Sequence, residues 1–338
     1  MQTRARPRES PPRHANLLAR AMSPSAIALL GATATFGVLT DVERSALPAW
    51  CQGVSVKRID DWFGSGGSGL KPLRFAQWDH PSEGHHQFNH GLYKGLTKIL
   101  PVGAIAVDIG AHGGDTTLPI SLATRGGRTF AFEMGPPYAM LRCNVDLNPS
   151  LHIETHALAV SDRDGEVMYE SGCGGCNGGI TSNSLVAKGR AKSTRLSSIL
   201  PTSALANISF IKIDTEGHDM VILRDLKPLI QRSFPKILVE WFKPFRASPE
   251  CSESSMRLFD AIDFLGYKAL AVTGLDVAAA LRKVKVVKPT REKGQWLCLG
   301  HGDTQDLLLW PPNHPLPTPQ GTLATPPPSH GSMLGLLG

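Results

Sequence analysis

The chain has 338 residues, of which 41% are hydrophobic and 19% are charged, so it can form a large core and is not wholly disordered. The formal net charge of +6 comes mainly from residues 1–20, which contain five arginines and one glutamate. Because the basic residues lie in a terminal segment, the charge does not indicate a nucleic-acid-binding face. Six dispersed cysteines do not have the spacing of a disulfide framework.

Residues 1–45 are predicted to be an N-terminal extension. Its Arg-rich start is followed by residues 21–40, which carry no charge. An organellar transit peptide, a signal peptide or weak signal anchor, and a disordered tail before an ordinary buried helix all remain open. Targeting and a plain cytoplasmic location are equally consistent with this pattern, and contact with a membrane is expected only through residues 21–40.

Residues 46–94 are predicted to be a lead-in to the main domain. This segment contains a histidine-rich patch of His80, His85, His86 and His90. The i,i+4 spacing of His86 and His90 would place both on one helix face, as in many metal sites. Glycines on both sides favour a loop instead, and no metal site is predicted.

Residues 95–303 are predicted to form the main domain, in which short apolar strands alternate with helices. The strands are AIAVDIG, RTFAFE, HIETHALAV, SFIKID, KILVEW, YKALAV and QWLCLG, with GEVMYES as an added hairpin strand. This alternation predicts an α/β fold with a doubly wound, mostly parallel, Rossmann-like sheet. The glycine-rich segment 172–179 is predicted to be a mobile loop, and the Pro-rich residues 304–338 a disordered tail.

A glycine turn follows the first predicted strand, in the segment VDIGAHGG. Glycine allows a backbone to approach a ligand closely because it has no Cβ. Glu133 ends the second strand, where an acidic residue commonly accepts hydrogen bonds from the ribose hydroxyls of a nucleotide. The pattern is neither G-x-G-x-x-G nor a Walker motif, so it does not specify a dinucleotide or ATP.

The chain resembles the FkbM-type S-adenosylmethionine-dependent methyltransferases, which have the class I methyltransferase fold. The resemblance covers roughly residues 95–300 and rests on VDIGAHGGDTT, AFEMGPPYAMLRCNVDLN, FIKIDTEGHDMVILRDL and PKILVEW. It implies a seven-stranded sheet whose last strand, around Gln295–Leu299, is antiparallel.

The resemblance also implies a binding site for S-adenosyl-L-methionine. The glycine turn would surround the methionine part of the cofactor, Glu133 would hold the ribose, and the end of the third strand would flank the adenine. The implied residues are Asp108, Gly110, Ala111, His112, Gly113, Gly114, Glu133, Met134, Ser161 and Asp162. The family usually has asparagine where this chain has His112, so the fit of that turn differs here.

Three acids are predicted to gather where the fourth and fifth strands end. Asp214 and Glu216 follow the fourth strand, Glu240 ends the fifth, and His218 lies just beyond. One of them could take a proton from a substrate hydroxyl, or the acids could bind a divalent ion; we favour the metal-free version. The structural alternative is a fixed pair between Lys212 and Asp214, with Glu216 capping the next helix.

These features predict an S-adenosylmethionine-dependent methyltransferase that O-methylates a hydroxyl group. The resemblance implies a small-molecule acceptor such as a sugar or another natural product, and no nucleic-acid partner is expected. Two alternatives remain: another nucleotide-cofactor enzyme on the same sheet, such as a dehydrogenase, and a catalytically silent cofactor-binding module.

Overall fold

The computed structural model describes residues 45, 47–62, 72–80, 83–170, 179–181, 184–185, 187–241, 266–284, 286–287, 291–292, 295–296 and 305–317. Nearly all of the predicted N-terminal extension and of the loop 172–179, and most of the predicted Pro-rich tail, lie outside these residues. Among the described residues, no helix is both long and apolar enough to cross a lipid bilayer.

The secondary structure follows the predicted alternation over most of the main domain. The helices are α1 (Ala49–Gln52), α2 (His90–Ile99), α3 (Thr117–Ala123), α4 (Tyr138–Asp146), α5 (Leu196–Ile199), α6 (Thr202–Leu205), α7 (Asp219–Asp225), α8 (Lys227–Ser233) and α9 (Val277–Arg282). The strands are β1 (Val56–Trp62), β2 (Leu73–Trp78), β3 (Ile105–Ile109), β4 (Arg128–Phe132), β5 (Ile153–His156), β6 (Ala159–Val160), β7 (Gly165–Tyr169), β8 (Gly189–Thr194), β9 (Ile208–Ile213), β10 (Lys236–Trp241), β11 (Lys268–Thr273), β12 (Val286–Val287), β13 (Arg291–Glu292), β14 (Gln295–Trp296) and β15 (Gln305–Trp310).

The main sheet has the strand order β12-β11-β15-β10-β9-β3-β4-β5. Strands β5, β4, β3, β9 and β10 are mutually parallel, whereas β15 is antiparallel to both β10 and β11. The seven long strands form the predicted mostly parallel sheet, and the two-residue β12 adds an edge. Two apolar clusters, one including Val107, Ile211 and Val239 and the other Ala106, Phe210 and Leu238, cover the sheet.

The antiparallel strand is not where the sequence predicted it. It is β15, within the segment expected to be a tail, whereas the described part of the predicted strand, Gln295–Trp296, pairs with β13. Residues 307–310, with the sequence LLLW, are buried between β10 and β11. Four apolar residues directly before a Pro-rich segment gave too short a pattern to separate from that segment. The predicted boundary at residue 304 is therefore wrong.

The lead-in segment is packed onto the main domain. Strands β1 and β2 form an antiparallel hairpin. A disulfide between Cys51 and Cys143 joins α1 to α4. The amide of Ala76 on β2 donates to the buried Asn144 Oδ1 at 2.6 Å. The sequence did not predict the disulfide, because its two cysteines are 92 residues apart and belong to no spacing motif.

Candidate functional site

A cavity of about 350 Å³ lies at the carboxyl ends of β3, β4, β9 and β10. The chain runs outward from β3 to β5 on one side and from β9 to β10 on the other, and parallel α/β sheets bind ligands at such a reversal. Gly110 lets the two central strands approach here. Its φ is +77°, and a Cβ would lie 1.7 Å from the carbonyl oxygen of Asp214.

Only some of the residues that the resemblance implies for the cofactor reach this cavity. Gly110, His112, Glu133 and Met134 line it. The residues absent from its described lining are Asp108, Ala111, Gly113, Gly114, Ser161 and Asp162. Near the last two, the wall is formed by Leu158, Ala159 and Val160 instead.

Asp108 lies behind the glycine turn. Its side chain is fully buried, and its Oδ2 accepts hydrogen bonds from the hydroxyls of Thr116 at 3.0 Å and Thr117 at 2.7 Å. Burial raises the pKa of this carboxyl, while the charge of Lys212 opposes the shift. Asp108 therefore fixes the turn from the inside rather than facing a ligand.

Glu133 organises the opposite side of the same turn. Its carboxylate accepts from the amides of His112 at 2.9 Å and Gly135 at 2.8 Å. Each carboxylate oxygen has a second lone pair, so both can still accept from a ligand hydroxyl. The backbone of His112 has a φ of +47°, in the left-handed region that is uncommon for residues other than glycine.

The strand-end cluster consists of Asp108, Lys212, Asp214 and Glu240. Lys212 pairs in register with Asp108 across β3 and β9. Its Nζ lies 3.7 Å from Asp108 Oδ1 and donates to Asp214 Oδ2 at 3.0 Å. Although Lys212 is buried, the charges of Asp214 and Asp108 keep its pKa above the ordinary value. The structure thus contains the pair between Lys212 and Asp214 that the sequence offered as the structural alternative.

Asp214 and Glu240 meet at the carboxyl edge, as predicted, and they hold one proton between them. Burial raises the pKa of Glu240 to about 10, and its hydrogen bond with Asp214 adds to the shift. Burial acts in the same direction on Asp214, but the charge of Lys212 and the hydrogen bonds from Glu240 and Lys212 together outweigh it, so the pKa of Asp214 is lowered. Near neutral pH, a protonated Glu240 thus donates to an ionised Asp214.

Glu216 differs from both of these acids. It is an exposed residue at the cavity wall, and partial burial of its carboxyl raises the pKa of that group. The turn before α7 is stabilised by Asp219, whose carboxylate accepts from the amides of Thr215 at 2.9 Å and Gly217 at 3.2 Å. Asp219 is also the acid in the first turn of α7, which has no side-chain cap, and no described hydrogen bond gives the carboxylate of Glu216 a structural task.

His218 does not join the acids. It lies at the N-cap of α7, and its Nε2 is 3.0 Å from the hydroxyl of Ser161, which also donates to Asp162 at 3.2 Å. None of these three residues belongs to the described cavity lining. The prediction that His218 could act as the base is therefore not supported by its position.

The sequence missed a second group of titratable residues in the cavity, the histidine cluster of Glu83, His86, His112 and Asp115. Glu83 Oε2 lies 2.9 Å from His86 Nε2, and Glu83 Oε1 lies 3.2 Å from His112 Nε2. The other ring nitrogen of His86, Nδ1, lies 3.5 Å from Asp115 Oδ2. His86 is not paired with His90, which begins α2 and contacts Phe88.

The charges within the histidine cluster reinforce each other. Although burial raises the pKa of Glu83, its contacts with His112 and His86 outweigh that effect and lower the value to about 2. Asp115 and then Glu83 raise the pKa of His86 to about 10. The sequence contained two separate signals for this cluster: the histidine-rich patch that contains His86, and His112 at a position where the resemblance implied asparagine.

Comparison with protein-family models gives one match, the methyltransferase FkbM domain over residues 108–268. A search of curated proteins finds no match.

Solved structures with a similar fold include three methyltransferases or related proteins. Methyltransferase FkbM from Methylobacillus flagellatus KT is 17% identical, with a TM-score of 0.36, over 61% of this chain and 43% of that one. A SAM-dependent O-methyltransferase from Thermotoga maritima is 6% identical (TM-score 0.35; 65% and 64% covered), and Pyrococcus horikoshii TYW2 in complex with MeSAdo is 13% identical (TM-score 0.36; 71% and 69% covered).

This chain therefore spans less than half the length of the Methylobacillus protein. Residues 108–268 match the methyltransferase FkbM domain, and this family depends on S-adenosylmethionine.

Proposed function

We propose that the protein transfers the methyl group of S-adenosylmethionine to a hydroxyl oxygen of a small-molecule acceptor, such as a sugar or another natural product. The observation that carries this proposal is Glu216, a cavity-lining carboxylate with a raised pKa and no capping contact. A hydroxyl must lose its proton when its oxygen is methylated, and a positioned carboxylate can accept that proton.

The cavity suits a positively charged methyl donor. The described lining contains six carboxyl groups, from Glu83, Asp115, Glu133, Asp214, Glu216 and Glu240, of which Glu240 is protonated near neutral pH. They outnumber the basic groups of the described lining, which are the ammonium group of Lys212 and the imidazoles of His86 and His112. Gly110, Glu133 and Met134 are the residues that would hold S-adenosylmethionine, with Glu133 on the ribose. The bound cofactor supplies a methyl group attached to a positively charged sulfur, which is a good leaving group.

The three predicted acids have different tasks in this proposal. Asp214 is paired with Lys212 and has a lowered pKa, so it is a weak base. Glu240 is protonated near neutral pH and cannot accept a proton. Glu216 takes up the hydroxyl proton, while the other two acids keep the adjacent wall fixed and polar. Positioning of the acceptor against the methyl group contributes the rest of the rate.

The test uses S-adenosylmethionine carrying a CD₃ group and a panel of acceptors that offer hydroxyl, amino and carbon nucleophiles. We expect calorimetric binding of S-adenosylhomocysteine and the label on oxygen, located by NMR of the product. Label on nitrogen or carbon would overturn O-methylation and leave the methyltransferase assignment intact. Absence of S-adenosylhomocysteine binding would overturn the cofactor site.

A further inference from the structure

We propose that Glu83, His86 and His112 bind one divalent transition-metal ion, of the class that includes Zn²⁺, at the wall of the cavity. The three side chains come from the segment before α2 and from the glycine turn, which are separate in sequence. One ligand atom from each lies within 4.8 Å of the other two. Metal–nitrogen and metal–oxygen bonds of about 2.0–2.2 Å place tetrahedral ligand atoms about 3.3 Å apart, so only small movements would close this site.

His86 already has the outer partner that a metal-bound histidine needs. Its Nε2 faces Glu83, and its Nδ1 faces the carboxylate of Asp115 at 3.5 Å. A ligating histidine normally directs its second ring nitrogen to a carboxylate or carbonyl, which fixes the tautomer and the ring orientation. Asp115 would therefore be a positioning residue for His86 and would not bind the ion itself.

His112 carries a polar atom that the protein leaves without a hydrogen bond. Its Nε2 is buried, and its 3.2 Å approach to Glu83 Oε1 lacks hydrogen-bond geometry. Buried polar atoms are nearly always satisfied, so this exception, at a residue that lines the cavity, indicates a missing partner. An ion between the three side chains would satisfy this nitrogen and both oxygens of Glu83.

The donor set indicates the chemical class of the ion. Two imidazoles and one carboxylate are typical of Zn²⁺ and neighbouring transition metals, and three protein ligands leave a coordination position for another molecule. Mg²⁺ prefers oxygen ligands in octahedral geometry and is not expected here.

The role of the ion depends on the proposed function. Glu216 and the histidine cluster line the same cavity. An ion with an open position could hold the acceptor through its hydroxyl oxygen and lower the pKa of that hydroxyl, so that Glu216 accepts the proton more readily. Binding of the ion itself does not require that the acceptor atom be oxygen.

The experiment measures Zn²⁺ binding to the full-length protein after treatment with EDTA and dialysis. Calorimetry is expected to give one ion per chain, with no comparable Mg²⁺ binding. The sequence also contains a C-x-x-C pair, Cys173 and Cys176, so the titration is repeated in a C173S/C176S variant. X-ray absorption then separates ligands, because Zn–S bonds are about 2.3 Å and Zn–N bonds about 2.0–2.1 Å.

We expect His86→Gln, His112→Asn and Glu83→Gln each to weaken Zn²⁺ binding at least about 100-fold, and Asp115→Asn to weaken it about 10–100-fold. The matched control is His85→Gln, because His85 contacts Arg58 and Asp60 rather than this cluster. Each variant must show the circular dichroism and the cooperative unfolding of the parent protein to count as folded. If the variants unfold, X-ray absorption of the parent protein is the test: nitrogen and oxygen ligands support the site, and sulfur ligands contradict it.

Absence of stoichiometric Zn²⁺ binding would overturn the proposal and would leave an ion-pair cluster without a metal. Binding that is lost with the cysteines, or that is insensitive to His86 and His112, would overturn it as well. The proposed function fails independently: a protein that binds Zn²⁺ but methylates nitrogen keeps the metal site and loses O-methylation. A protein that methylates oxygen without binding Zn²⁺ keeps the proposed function and loses the metal site.

Discussion

The strand-end cluster, apart from Asp108, and the histidine cluster line one cavity, but the two are assembled in different ways. Asp108 and Lys212 are held by the register of adjacent central strands, and Asp214 follows directly on β9. The histidine cluster joins Glu83 and His86 to His112 and Asp115, and its first half belongs to no helix or strand. The sheet geometry therefore fixes the first cluster, whereas contacts between distant segments fix the second.

The histidine cluster is held in place by hydrogen bonds from the N-terminal hairpin. Gln77 on β2 makes two hydrogen bonds with the backbone of His86. Its Nε2 donates to the carbonyl oxygen of His86 at 2.7 Å, and its Oε1 accepts from the amide of His86 at 3.0 Å. Strand β2 is in turn held by Asn144 on α4. We infer that the two clusters respond to different perturbations: the first to a change of charge, the second to loosening of the N-terminal hairpin.

The largest expected effect is that of Glu216→Gln, which tests whether the proton acceptor belongs to the strand-end side of the cavity. Loss of a general base lowers turnover by about 10²–10⁴-fold. We expect this loss in kcat, with S-adenosylhomocysteine affinity unchanged because Glu216 is not assigned to the cofactor.

The control for that variant is Glu166→Gln, at an exposed residue of β7 whose partner is Arg190. If Glu216→Gln retains nearly normal turnover per folded molecule, the base is not Glu216, and the histidine cluster becomes the better source of it.

The second prediction concerns the buried charge of the strand-end cluster. Lys212→Met leaves the fully buried Asp108 without its cation, and removing one partner of a buried pair costs about 3–5 kcal/mol of unfolding free energy. Urea unfolding measures this loss. Arg190→Met, which breaks the exposed pair with Glu166, is the control and should cost no more than about 1 kcal/mol.

A double variant distinguishes the cause of that loss. Lys212→Met combined with Asp108→Asn removes the carboxylate of Asp108 and leaves that of Asp214, so part of the lost stability should return. No recovery would mean that the loss comes from Asp214 or from packing and not from the charge of Asp108.

The sequence could predict the strand-end cluster because alternation along a strand places Lys212 and Asp214 on one side, and parallel strands end at a common edge. It could not predict the histidine cluster, since nothing local shows that residues 83–86 return to the glycine turn. The same limit applies to β15, whose burial depends on a gap between β10 and β11 that no local pattern reveals. Local periodicity thus identified most strands, and long-range packing decided the remaining ones.

The third prediction tests the dependence of the histidine cluster on the hairpin. A Cys51→Ser/Cys143→Ser variant lacks the link between α1 and α4. Loss of a native disulfide lowers the free energy of unfolding by about 2–5 kcal/mol, and the effect rises with the length of the loop that the disulfide closes. We expect this variant to lose Zn²⁺ affinity, while its affinity for S-adenosylhomocysteine stays close to that of the parent.

Treatment of the parent protein with a reducing agent should reproduce the loss of stability. If the affinities for Zn²⁺ and S-adenosylhomocysteine fall together, the hairpin supports the whole cavity, and the two clusters are not mechanically separate.

The smallest expected effect is a change in the pH dependence of stability caused by Glu240→Gln. Burial, and then the hydrogen bond with Asp214, raise the pKa of Glu240 to about 10 from an ordinary value of 4.5. Between these two pH values the folded protein keeps a proton that the unfolded chain has lost. Folding therefore takes up a proton, and the contribution of Glu240 to stability falls as the pH rises.

For one titrating group, the unfolding free energy changes by at most about 1.4 kcal/mol per pH unit. Solvent screening makes the change smaller for a half-buried carboxyl such as Glu240. Glutamine resembles the protonated acid and can still donate to Asp214, so the variant should fold and lose only this slope. The measurement is the difference in unfolding free energy between the parent and Glu240→Gln at pH 5.5, 6.5 and 7.5, because groups common to both proteins cancel in it. We expect the parent to lose stability relative to the variant as the pH rises. Parallel curves would show that Glu240 is ionised in the folded protein, and then Asp214 and Glu240 could not share a proton at the strand end.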